Sequence, residues 1–406
     1  MPKSSKSVLF ATISLFLVIT VVDSAAPRVH AQVAGSAGTK STEVYRVMIE
    51  AFKSSAMEDN LRKLTDEIGG RIPGTVAMVQ AIHKRAPNRR QGRQRRRRGY
   101  CIHWAREREL LYRHTNTQNG EIDRIPQLIV AREDGLRIAR LLAQGRKVYG
   151  RLLIPNKIGK AFKTSNVIAE IRGSENPKEF VVLGAHLDSW ELGTGALDNG
   201  CNAALVLDVL RAIHAAGAHP RRTIRFILFS GEEEGLLGSQ AYTRQHQNEL
   251  NDAVAAIIFD SGSGRVTGLT LSGREDLATP VRDIIAPLKS LGVTDVTQDA
   301  DIGTDNFDFV LQGVPTLEAN QDPANYMENY HAASDTFDKV DLTQMRKSVA
   351  AAAAVALSIA NATQRLGARQ DRAEISQLLQ HTHLDQQMKL FGIWEDWESG
   401  KRGRTP

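Results

Sequence analysis

Seven residues of this chain could do chemistry together: His186, Asp188, Asp198, Glu232, Glu233, Asp260 and His331. His186 ends the apolar run Glu179–Ala185, Glu232 and Glu233 follow the run Thr223–Ser230, and Asp260 follows Ala253–Phe259. Singly, each has an ordinary role: a hydrogen-bonded histidine, a helix N-cap at Asp198, a glutamate run matching a helix dipole, a turn aspartate before Ser-Gly-Ser-Gly. Their recurrence at the ends of apolar strands points elsewhere, because open α/β sheets place ligands at the carboxyl ends of strands. Imidazole nitrogens and carboxylate oxygens are zinc donors. A pair of ions roughly 3.5–4 Å apart needs one bridging carboxylate and two terminal ligands per ion. Two histidines and three acids meet that count, and one acid remains as a base. Of the adjacent Glu232 and Glu233, one can ligate while the other reaches an attacking water beside a polarised carbonyl. Asp188, two residues after His186, is placed to orient the imidazole. This is hydrolytic chemistry.

The elements that must position these residues read as α/β, with a mostly parallel central sheet flanked by helices. The near-continuous apolar runs suit strands covered on both faces. Ser41–Ile82 has helical periodicity and ends at the turn-rich Gly69–Gly74. Pro126–Val130, Val148–Ile154 and Asn166–Ile171 read as strands and Arg132–Ala143 as a helix. Asp198 opens a helix over Asn199–Ala216, and the glutamate run opens the next one. Pro280–Leu291 is helical, Val314–Leu317 is a short strand, and Leu342–Leu366 is a long Ala-rich helix. After Gly367 the text is polar and mixed, with Trp394 and Trp397. No internal repeat is present.

The chain has 406 residues and a formal charge of +6, with ordinary apolar and charged content. Lys84–Arg98 alone holds nine Lys or Arg and no acid, so the remainder is net acidic by three. The basicity is local and poor evidence for a nucleic-acid partner, and none is expected. Two cysteines, Cys101 and Cys201, are too few for a disulfide framework. Lys3 and Lys6, the apolar Val8–Val22 and the small-x-small Val29-His30-Ala31 read as an export signal, which implies a secreted or periplasmic protein and no membrane partner after cleavage.

At GAHLDSWELGTGALDNG, FSGEEEGLLGS, FDSGSGRVTG and YHAASDT, over roughly Asn166–Leu366, the sequence resembles the co-catalytic di-zinc exopeptidases. That family includes secreted bacterial aminopeptidases and carboxypeptidase Q, and the motifs resemble those of carboxypeptidase Q. The resemblance implies a zinc exopeptidase-like fold, two Zn2+ per chain, a peptide substrate with a free terminus and a homodimer. It implies that His186 and Asp260 hold one ion, that Glu233 and His331 hold the other, and that Asp198 bridges. Glu232 is then the general acid/base, Asp198-Asn199 the site of a cis peptide, and Tyr330 a hydrogen-bond donor to the oxyanion. Gly303, Thr304, Asp305 and Asn306 form the substrate loop, with Gly313-Val314-Pro315 behind it. The family inserts a long protease-associated domain after the Gly-Gly-Arg turn. Here only Ile82–Ser165 is available, half of it Arg-rich text unlike the family, which reads as a solvated tail or a deleted or frameshifted insert. The expected organisation is a signal peptide at 1–31, an N-terminal helical part at 32–82, a truncated insert at 83–160, the catalytic domain at 161–366 and a polar tail at 367–406. Either end of a peptide fits this centre, so carboxypeptidase and aminopeptidase remain alternatives. A non-catalytic binding module on the same fold is the third reading, and the complete ligand set argues against it.

Overall fold

The β-branched apolar runs form the strands of a seven-stranded sheet at the centre of the protein. The computed structural model describes residues 36–53, 56–73, 75–83, 100–103, 127–151, 153 and 161–405. The expected export signal at 1–31 and the Arg-rich Lys84–Gly99 lie outside the described residues. No helix among the described residues is long and apolar enough to cross a membrane.

A small parallel pair is made by β1 (Tyr100–His103) and β2 (Gln127–Val130). The central sheet holds β3 (Val167–Ile171), β4 (Asn176–His186), β5 (Arg222–Phe229), β6 (Ala253–Ile258), β7 (Val266–Thr270), β8 (Asp295–Thr297) and β9 (Thr316–Gln321). Their order is β3-β5-β4-β6-β9-β7-β8. The pairs β4–β5, β4–β6, β6–β9 and β7–β8 are parallel, while β3–β5 and β7–β9 are antiparallel. The sheet is therefore mixed, with its central strands parallel.

Strand alternation sends successive side chains to opposite faces. Val181, Leu183 and Ala185 of β4 pack with the helices Cys201–Ala215 and Leu342–Asn361, whereas Phe180 and Val182 join Tyr242 and Phe309 on the other face. Alanines let Leu342–Asn361 lie close to the sheet, and Asp341 caps it by accepting from the amides of Thr343 and Gln344. A Cβ on Gly184 would sit 2.6 Å from the Phe229 ring, so β4 and β5 pack closely just before His186.

Several expectations differ from the structure. Of the expected strand Val148–Ile154, the described residues 148–151 and 153 carry no strand and are exposed, so they bury no face against a sheet. The glutamate run does not open a helix. Gly231 and Gly235, at φ 83° and 108°, form a turn that holds Glu232–Glu234 outside the helix Leu237–Gln245. The N-terminal periodic stretch is divided into Ser36–Lys53, Ala56–Arg62 with its wider-turned continuation Lys63–Ile68, and Val76–His83. The segment after Gly367 folds into three helices, Arg372–His381, Leu384–Leu390 and Trp394–Glu398.

Candidate metal centre

Parallel strands deliver the donors at one edge of the sheet. His186 ends β4 and pairs in register with Phe229, the end of β5, after which the turn carries Glu232 and Glu233. Asp260 follows β6, Asp198 lies in a kinked turn before the helix Cys201–Ala215, and His331 follows the short helix Tyr326–Asn329. The Asp198–Asn199 peptide is cis.

The two imidazoles divide the carboxylates between them. His186 Nε2 lies 2.9 Å from Asp260 Oδ1 and 3.3 Å from Asp198 Oδ1. His331 Nε2 lies 2.9 Å from Glu233 Oε2 and 3.1 Å from Asp198 Oδ2. Asp198 thus turns one oxygen to each imidazole. Donors at about 2.0–2.2 Å around a tetrahedral zinc stand roughly 3.3 Å apart, which matches these separations. Asp198 Oδ2 and Glu233 Oε1 are buried without a hydrogen-bond partner, although His331 is close to the first. Near approach without a hydrogen bond is the geometry of donors turned toward a shared third atom. Donor atoms of His186, Asp198 and Glu233, and of His186, Glu232 and Asp260, also fall within 4.8 Å of one another. The donor set fits a pair of zinc-like cations.

The electrostatics agree. Burial alone would raise the Asp198 carboxyl, but the two imidazoles hold it well below the carboxylate range. Burial would lower both histidines, yet the surrounding acids outweigh it: Asp260 and Asp198 hold His186 well above its ordinary value, and Glu233 and Asp198 lift His331 to about 10. A field that favours positive charge on two buried imidazoles is one that draws cations. Burial and neighbouring acids raise the Glu232 carboxyl well above normal and push Glu233 to about 7 and Glu234 to about 9.

Around the donors stands a polar scaffold. His186 Nδ1 faces the Asp188 main-chain carbonyl at 3.0 Å, which leaves Nε2 for the centre. The Asp188 carboxylate is 3.7 Å from that nitrogen and instead accepts from the amides of Glu232 and Glu233. Orientation of the imidazole therefore comes from the Asp188 backbone, and its side chain sets the glutamate turn. Asp335, whose role the sequence reading missed, accepts from the amides of Leu197 and Asp198 and is pushed to about 7 by burial. Arg71 is buried and donates to the carbonyls of Leu187, Thr194 and Gly195 on the ligand loops and of Leu64 and Gly69 on its own segment. Trp190 donates to Glu233 Oε2. The Tyr330 ring stacks on His331 at 3.7 Å, with burial and nearby acids raising its hydroxyl.

The Gly303–Asn306 segment lies beside the centre. Asp305 is fully buried with neither carboxylate oxygen hydrogen-bonded, and it adds to the field that raises Glu232. Thr304 is buried, and Asn306 donates to Glu318 of β9 at 3.2 Å. Gly303, exposed, donates to Asp301.

Residues 166–356 match the family described as Peptidase family M28. The chain is similar to carboxypeptidase Q of Rattus norvegicus, 31% identical over 249 residues, covering 61% of this chain and 52% of the relative. It is likewise 31% identical to carboxypeptidase Q of Mus musculus over 255 residues, covering 62% of this chain and 54% of the relative. The chain thus spans about half the length of the curated relatives it matches. In fold it is similar to the Peptidase M28 precursor from Shewanella amazonensis SB2B, with a TM-score of 0.65, 22% identity, and coverage of 83% of this chain and 100% of that one. The matched residues 166–356 carry the central sheet and all five donors, so the likeness to Peptidase family M28 covers the whole candidate centre.

Proposed function

We propose that the chain is an exported zinc-dependent exopeptidase that hydrolyses dipeptides or short peptides with a free terminus. The observation that carries this reading is Asp198, with one carboxylate oxygen toward each imidazole. His186 and Asp260 would hold one zinc, Glu233 and His331 the other, and Asp198 both. Bound zinc supplies Lewis acidity at the scissile carbonyl and lowers the pKa of water. Glu232, whose Oε2 lies 3.9 Å from His186 Nε2, takes the proton of the attacking water and returns it to the leaving nitrogen. Burial makes its carboxyl a stronger proton acceptor, as that exchange requires. Tyr330 stands beside the ligands to donate to the developing oxyanion.

Within this reading the charge of the site favours an aminopeptidase. Glu318 is raised to about 8 by burial and by Asp301, Asp260 and Asp299, so acids crowd the edge beyond Asp260. The buried cation nearby, Arg71, is committed to backbone carbonyls. A free ammonium suits such a field better than a free carboxylate. Purified protein should hold two zinc ions and lose dipeptide hydrolysis on chelation. Metal-free protein that stays inactive after refolding with zinc refutes the proposal. A dipeptide blocked at the carboxyl end should be cleaved faster than one blocked at the amino end. Glu232→Gln should keep its zinc and its Tm but lose roughly 10²–10⁴-fold in kcat.

A further inference from the structure

We propose that the C-terminal helices are a positioning element of the site, acting through the buried pair Arg402–Asp308 on the Gly303–Asn306 segment. Asp308 follows that segment by two residues, on the helix Asn306–Leu311. Arg402 donates from Nε to Asp308 Oδ1 at 2.8 Å and from Nη2 to Oδ2 at 2.9 Å. Both side chains are almost fully buried, at 3% and 1% exposure. The same carboxylate accepts from Ser239 at 3.0 Å, in the helix that follows the glutamate turn. One buried carboxylate therefore joins the C-terminal segment to both the substrate segment and the element after Glu232.

The packing points the same way. Leu236, Ile302 and Phe307 from the site side share one apolar cluster with Ile375, Leu384 and Trp397 from the C-terminal helices. Leu236 stands three residues after Glu233, and Ile302 and Phe307 bracket Gly303–Asn306. Arg402 also lies over the Phe307 ring, 5.6 Å from its centre, and the Arg404 amide donates to the Leu311 carbonyl at 2.8 Å. A bidentate guanidinium fixes direction as well as distance, which an apolar contact alone does not. This inference rests on the reading of Gly303–Asn306 as the substrate loop.

Positioning and plain stability are separated by removing the whole pair. Arg402→Met alone leaves a buried carboxylate unpaired and should melt well below the parent. In Arg402→Met with Asp308→Leu both charges are gone, and such replacements are often neutral for stability. Ser239 keeps its second acceptor, the Leu236 carbonyl. The double variant should melt within about 3 °C of the parent. Its amides at 304–311 should nevertheless exchange with deuterium about tenfold faster, with KM for a cleaved dipeptide raised more than kcat is lowered. Arg402→Lys, which keeps the charge and loses the fork, should show the same change more weakly in a fully folded protein. Parental exchange at 304–311 in the double variant, or in Arg402→Lys should the double variant not fold, overturns the proposal. If the parent cleaves no dipeptide, the peptidase reading fails, while the exchange rates still decide this one.

Discussion

Around Asp198 the backbone is held by buried charges, whereas around Asp305 it rests on an apolar cluster containing one ion pair. On the first side, Arg71 donates to five carbonyls and Asp335 accepts two amides, and the partners of both include the loop Leu187–Asp198. On the second, Ile302 and Phe307 lie among the side chains of the C-terminal helices. The difference teaches what each half must do. Donors for a metal pair have to stand at fixed separations, and only directional contacts impose that. The proposed substrate segment needs support over an area, which close packing provides.

The contrast breaks most visibly at Arg71. Burial pushes its guanidinium down only to about 10, so it remains a cation inside the protein. Arg71→Met strands several buried carbonyls at about 1–3 kcal/mol each, so a loss above about 4 kcal/mol is expected. Denaturant unfolding should show it, together with loss of bound zinc. A variant that keeps its zinc at normal affinity would mean that the ligand loops need no such clamp. Asp335→Asn comes next. The amide offers one acceptor where two N–H groups need one each, so about 2 kcal/mol should be lost. Zinc affinity, measured against a competing chelator, should fall about 10–100-fold, because Asp335 sets the backbone of Asp198, the proposed bridging ligand. An unchanged affinity alongside a lowered Tm would make Asp335 a prop of the fold alone.

What could be read from the sequence follows the same division. The strand ends were legible because long apolar runs stop at His186, at the glutamates and at Asp260, where an ordinary core strand would have no reason to place them. The clamps were not. Arg71 lies in a turn of glycines, and its partners on the ligand loops are 116–124 residues away. Asp335 sits inside a quoted motif, yet the amides it holds are 137 and 138 residues distant. The strands β7 and β8, the last two at one side of the sheet, were missed because they are short and carry Thr and Gly, so their pairing with neighbours defines them rather than periodicity. The C-terminal helices were missed because Ile375, Leu379, Leu384 and Met388 are separated by polar residues, and their burial depends on Phe307 and Leu311.

The smallest expected effect tests the apolar half. Ile375 is fully buried in the cluster beneath the proposed substrate segment. Ile375→Val removes one methylene and should cost about 0.5–1.5 kcal/mol, through lost burial and a small cavity. In thermal melting of a chain this long, this is a shift of about 1–2 °C. The cluster can absorb that volume by small movements of neighbouring side chains, because no contact in it depends on a single angle. The Arg402–Asp308 fork, on another part of the same floor, keeps the direction of the helix Asn306–Leu311. KM and kcat should therefore stay within about twofold of the parent, and zinc affinity should not change. A fall in zinc affinity like that of Asp335→Asn would show that the two halves are coupled through the sheet, and the separation of charged clamp from apolar floor would then fail.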